Sequence, residues 1–135
     1  MTILEAGIIA GAPVGVAIGG MLGRSHGALA TVGFATGGLI AGAVAGWLFA
    51  VLLIVLISVI GVFWRAVRKR PPDPPSESDI EIMTPVAVRG TFVSAVAGAV
   101  VFTASSWLPA LVTLTMSAFI TAFLSVARCE LRRTE

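Results

Sequence analysis

Gly7-Ile8-Ile9-Ala10-Gly11-Ala12-Pro13-Val14-Gly15-Val16-Ala17-Ile18-Gly19-Gly20-Met21-Leu22-Gly23-Arg24-Ser25-His26-Gly27 places a glycine at every fourth position without a miss. At about 3.6 residues per turn, a step of four drifts little around a helix, so these glycines line one groove. A groove without side chains lets a second backbone approach closely, which is how small residues at this spacing drive helix association in lipid. The same step returns at Gly38, Gly42 and Gly46. Two grooved helices joined by the polar turn at Gly23–Gly27 predict an antiparallel pair. Gly23 and Gly27 themselves belong to the turn as readily as to the helix.

The rest of the chain decides the solvent around that pair. Of 135 residues, 57% are hydrophobic and 12% are charged, whereas a soluble domain carries about 25% charged residues. The charges are also clustered. None occurs between Ala6 and Gly23, between Gly27 and Trp64, or between Gly90 and Ala127. Each stretch is long enough to cross a hydrocarbon core, which takes roughly 20 apolar residues. Long unalternating runs exclude a barrel, so backbone groups must be satisfied within helices. The expected fold is all-α, a multi-pass transmembrane helical bundle with glycine-zipper packing. The first segment is expected to be a retained helix and not a signal peptide, because Met1-Thr2-Ile3-Leu4-Glu5 has an acid where a basic region belongs.

Four helices are expected, with five possible. The first runs from Leu4 to Leu22. The second crosses at about Gly38 to Trp64, with Ala28 to Gly37 as an extended approach. Arg65, Arg68, Lys69 and Arg70 close it and read as an anchor to anionic lipid headgroups. Residues 1–70 thus form an N-terminal hairpin. Residues 71–83 form a Pro-rich acidic linker, since four prolines between Pro71 and Pro75 favour a stiff spacer. Residues 84–135 form a second hairpin. Thr84 reads as the N-cap and Pro85 as the first helical position of its first arm. Ser105-Ser106-Trp107-Leu108-Pro109 is the turn, and the last helix ends near Ala127 before a basic tail. Pro13 should kink the first helix, and Trp64 and Trp107 fit anchors at opposite membrane faces.

Cation placement sets the orientation. With four crossings, Arg65, Arg68, Lys69, Arg70, Arg89, Arg128, Arg132 and Arg133 share one side, and Arg24 lies opposite. This expects both termini in the cytoplasm, with a bacterial inner (plasma) membrane as the setting. Arg89, one turn into its helix, should snorkel to that surface. A hairpin turning at Gly46-Trp47 would put all nine cations inside and make five crossings. Turn chemistry opposes it, because Gly42 to Trp47 offers no Pro, Asn or Asp. In the four-crossing arrangement Trp47 becomes a packing residue.

The second hairpin repeats the small-residue device with Gly90, Ser94 and Gly98. Thr113, Ser117, Thr121 and Ser125 make a hydroxyl stripe on the last helix. Those hydroxyls can bond back to carbonyls one turn earlier, bond across helices, or line a polar path. The glycine spacing resembles the zippers of channels, pore-forming toxins and small membrane anchors; that resemblance identifies a packing mode and no family.

No reaction is legible. No Asp, Glu, Lys, Arg or His falls at mid-membrane, where such groups mark ion paths and substrate sites. There is no phosphate loop, paired carboxylate or metal-spaced Cys/His set. Catalytic, cofactor and metal sites are therefore expected to be none. Cys129 permits no internal disulfide and is expected to be a reduced thiol among Arg128, Arg132 and Arg133, while His26 reads as a solvated turn residue. The basic segments form no extended face for nucleic acid. The expected role is a non-catalytic accessory, assembly or scaffolding subunit. Its partners would be membrane lipids and other transmembrane helices, in a homo-oligomer or a larger membrane complex. The alternative is a small oligomeric channel or facilitator lined by the Thr113 to Ser125 stripe.

Overall fold

A capping box starts the first helix, α1 (Ile3–Gly23). Thr2 Oγ1 accepts from the Glu5 N–H at 3.2 Å, and the Glu5 carboxylate accepts from the Thr2 N–H at 2.8 Å. Two of the amides left orphaned at a helix start are thereby satisfied. The helix continues through Pro13 and ends in a 3-10 turn, Arg24–His26. Gly27 has φ +104°, a conformation that a side chain would strain, and there the chain doubles back.

The computed structural model describes residues 2–69 and 77–134. Beyond α1, these hold α2 (Ala28–Val67), α3 (Glu77–Ala104) and α4 (Trp107–Thr134), with no strand among the described residues. All four helices are long and apolar enough to cross a membrane. The chain is an all-α integral membrane protein.

α2 is one unbroken helix of 40 residues, about 60 Å long at 1.5 Å per residue. That is about twice a hydrocarbon core of about 30 Å, so α2 tilts or protrudes. Its continuity through Gly46 and Trp47 removes the five-helix alternative. It also corrects the expected extended approach over Ala28 to Gly37. The hydroxyls there do not interrupt a helix: Thr31 and Thr36 donate to the carbonyls of Gly27 and Val32 at 2.8 and 2.9 Å. Trp47, expected to pack, is 45% exposed.

Two further boundaries differ from the sequence reading. α3 begins at Glu77, so the residues from 77 to 83 assigned to the linker are helical, and Pro85 lies inside the helix. Thr84 does not cap; its hydroxyl donates to the Ile80 carbonyl at 2.7 Å. Glu77 and Asp79 in the first turn suit a helix N-terminus, where the macrodipole favours acids. Residues 70–76, including the proline cluster and Arg70, lie outside the described residues. At the other end α4 does not stop near Ala127, and the basic tail is its last turns.

α1 pairs with α2 and α3 with α4, each antiparallel. The hairpins meet at the end that carries the charges. Leu53, Ala87, Ala118 and Ala122 form a buried cluster, with Ile3, Phe49, Leu56, Ile57 and Ile60 packed on it. Below it Trp64 meets Phe123 edge-on at 5.9 Å, and the Arg68 guanidinium sits 5.1 Å from the centre of the Trp64 ring. Arg68 also pairs with Glu130 at 3.9 Å. The start of α3 is tied to the end of α4 through Asp79, whose buried carboxylate accepts from Arg133 Nη2 and Nε and from Cys129 Sγ.

Candidate intramembrane site

The glycines of the first hairpin are where α1 and α2 touch. A Cβ on Gly7 would lie 2.9 Å from Ala50 Cβ, one on Gly11 3.0 Å from Gly46 Cα, and one on Gly15 2.9 Å from Gly42 Cα. Gly19 meets Phe34 and Ala35, and Gly23 meets Ala30 and Thr31. The contacts are reciprocal: a Cβ on Gly38, Gly42 or Gly46 would run into the carbonyls of Gly15, Gly11 and Gly7. These bare backbones face each other inside one chain. One edge of this contact also borders the space between the hairpins, because Gly7, Gly11, Gly15, Gly19, Gly38, Gly42 and Gly46 line it too.

The second hairpin uses side chains where the first uses none. Gly90 accommodates the Thr121 side chain, and Gly98 accommodates Leu114. Ser94 is hydrogen-bonded to Ser117 across the helices and donates to the Gly90 carbonyl. Thr113 and Ser125 donate to the carbonyls of Pro109 and Thr121, one turn earlier. Thr121 and Ser125 are buried. Three of the four hydroxyl residues in the stripe thus have identified partners within this helix pair, and the fourth packs on Gly90.

Above the shared cluster the hairpins diverge and leave a cleft of about 920 Å³. Its walls are rows at the same four-residue step. α2 contributes Gly33, Gly37, Ala41 and Ala45; α1 contributes Ala10, Val14, Ile18 and Leu22; α3 contributes Thr91, Ala95 and Ala99. Trp107 and Leu111 of α4 line it as well. A Cβ on Gly33 or on Gly37 would meet nothing within 4 Å. No charged residue lines the cleft. The Thr91 hydroxyl is engaged with the Ala87 carbonyl at 2.8 Å. The space is apolar, inside the bundle and walled by small residues.

Sequence reasoning overlooked this second row on α2. Its signal was present: Gly33, Gly37, Ala41 and Ala45 repeat every fourth residue, one position short of the Gly38, Gly42 and Gly46 row. The row fell partly in a segment read as extended, where a helical face has no meaning.

The remaining single-residue readings place as follows. His26 is exposed and its Nδ1 lies 2.9 Å from Ser25 Oγ. Cys129 is buried, not presented to solvent. Arg65, Arg68 and Lys69 sit at the end of α2, with Arg68 engaged as above. Trp107 is exposed at the start of α4, whereas Trp64 is half-buried. Among the described residues no group of three or more His, Cys, Asp or Glu side chains gathers in a metal-holding arrangement. Comparison of the chain with protein-family models, with curated proteins and with solved structures gives no match.

Proposed function

We propose that this protein is a non-catalytic accessory or assembly subunit that receives another transmembrane helix in the cleft between its hairpins. A glycine zipper holds the first hairpin together, and a second set of small residues is left for the partner. The observation that carries this reading is the bare pair Gly33 and Gly37, which face unfilled space in a cleft that Ala95 and Ala99 also line. In lipid, burying apolar surface gains little by itself, so helix association depends on close packing and small residues mark where it occurs. A helix with side chains is about 10–12 Å across. A cleft of 920 Å³ with an open side would seat one face of it. The absence of charge in the cleft suits an apolar helix and offers nothing to a polar solute.

A lumen lined by Thr113 to Ser125 has no such support, since Ser117 and Thr121 would have to leave Ser94 and Gly90 of α3 and Ser125 is buried. The cation count supports both termini on the cytoplasmic side of a bacterial inner membrane, with Arg65, Arg68, Lys69 and Arg70 at the lipid headgroups.

Gly33→Leu with Gly37→Leu fills the cleft without touching the α1–α2 contact. In mild detergent, native mass spectrometry of the wild type is expected to retain a second polypeptide, either another copy or a different chain. The paired variant should lose it, and Gly61→Leu, which also meets open space, should keep it. A wild-type chain that is alone at every protein-to-detergent ratio, with a cysteine placed at Ala41 cross-linking only to lipid, would sink the proposal.

A further inference from the structure

A second recess, of about 330 Å³, lies between α3 and α4 at the charged end of the bundle. Arg89 of α3 and Arg128 and Arg132 of α4 line it, with Glu81 the single acid. All three arginines are exposed, and among the described residues none of them makes an ion pair. This differs from Arg68 and Arg133, which have Glu130 and Asp79. Three guanidinium groups around one small space, offset by the single carboxylate of Glu81, leave a net positive charge that a further anion would neutralise.

We propose that Arg89, Arg128 and Arg132 form a binding site for the phosphate of an anionic phospholipid. Guanidinium forks match phosphate oxygens two at a time, a geometry an ammonium cannot reproduce. Helical spacing supplies the track for the acyl chains. On α3, Val93 and Val96 continue the face of Arg89; on α4, Leu124 and Ile120 continue the face of Arg132 and Arg128. These four side chains are between 53% and 66% exposed. A recess with three arginines, on helix faces that continue into exposed valine, leucine and isoleucine, fits a molecule with a charged head and apolar tails. Basic pockets between transmembrane helices at the headgroup level hold lipids in this way. A free phosphate would use the arginines and leave these apolar faces idle. The site is separate from the cleft between the hairpins, and either can fail without the other.

The test uses the full chain, delipidated in detergent and titrated with dioleoyl phosphatidylglycerol, dioleoyl phosphatidylcholine or inorganic phosphate, with bound lipid counted by native mass spectrometry. Phosphatidylglycerol should bind and phosphatidylcholine should not displace it. At about fivefold per cation near a membrane surface, the triple variant R89Q/R128Q/R132Q should bind phosphatidylglycerol roughly a hundredfold more weakly. The triple Arg→Lys variant, which keeps the charge and loses the fork, should fall between it and the wild type. Removing cations elsewhere with R24Q/K69Q should change binding little. Wild-type affinity in the triple Gln variant overturns the proposal. Inorganic phosphate competing at the lipid's own concentration overturns the lipid assignment. Thermal melting by circular dichroism accompanies each variant. If the triple Gln variant does not fold, the triple Lys variant and R132Q decide, and full binding by both overturns the proposal.

Discussion

Gly15→Leu is expected to dismantle the first hairpin, with a loss of at least about 3 kcal/mol. That is the upper end of what overpacking costs, and the reason lies in what the new atoms meet. A Cβ at Gly15 would collide with the carbonyl of Gly38 and stand 2.9 Å from Gly42 Cα. Neither obstacle is a side chain that can rotate away. The helices must separate along their whole contact, because Gly11 and Gly19 are held at the same close approach on either side. Membrane insertion should survive, since leucine is more apolar than glycine. The loss should appear as a lowered unfolding midpoint in mixed micelles. It should also appear as faster exchange of Ala10–Ala17 backbone amides. Gly20→Leu on the same helix meets open space and should cost less than about 1 kcal/mol, or gain from the better helix propensity. If Gly15→Leu and Gly20→Leu melt together, the close approach of α1 and α2 is not what stabilises the hairpin.

That contrast shows how far the sequence was legible. The bilayer, the all-helical class and the pairing of helices follow from charge-free runs and from the four-residue glycine step, both of which are local patterns. What the step does not encode is which face a row presents to a neighbour and which to empty space. Gly37 and Gly38 are adjacent in sequence and both border the cleft, yet only Gly38 is also pressed against Gly15. Only the crossing of two helices separates them. The helix boundaries failed for a related reason. Thr31, Thr36 and Thr84 looked like breakers or caps, but each hydroxyl bonds a carbonyl one turn back within a helix, a choice fixed once neighbouring turns are already helical. Thr2 and Glu5 form a capping box from a purely local pattern, with Thr2 two residues ahead of the apolar onset at Leu4. The tail beyond Ala127 looked like a solvated basic end. Instead it is helical, and two of its residues are tied to Asp79, which is 50 positions from Cys129 and 54 from Arg133. No window of local sequence contains that pairing.

The same pairing gives the other large effect, an asymmetry between its two members. Arg133→Ala is expected to destabilise the second hairpin by about 2–3 kcal/mol, and Asp79→Ala by about 1 kcal/mol. Removing one partner of a fully buried pair costs about 3–5 kcal/mol, mostly from the charge left behind. Here the charges left behind are not equivalent. The Asp79 side chain is 6% exposed, so without Arg133 a carboxylate held away from water loses the guanidinium that donates two of its hydrogen bonds. The Arg133 side chain is 32% exposed, so without Asp79 the guanidinium swings toward solvent and recovers most of its hydration. That exposure also places the Arg133→Ala estimate below the fully buried range. Because the two share one interaction, the double variant should cost less than the sum of the singles. The loss should be concentrated where α3 begins, since Asp79 in its first turn bonds Cys129 and Arg133 near the end of α4. Hydrogen exchange at Ile80 to Met83 should therefore speed up in either single variant while Val93 to Ala99 stays protected. Equal costs for the two singles would mean that water reaches the carboxylate, and that α3 keeps its early start without help from the end of α4.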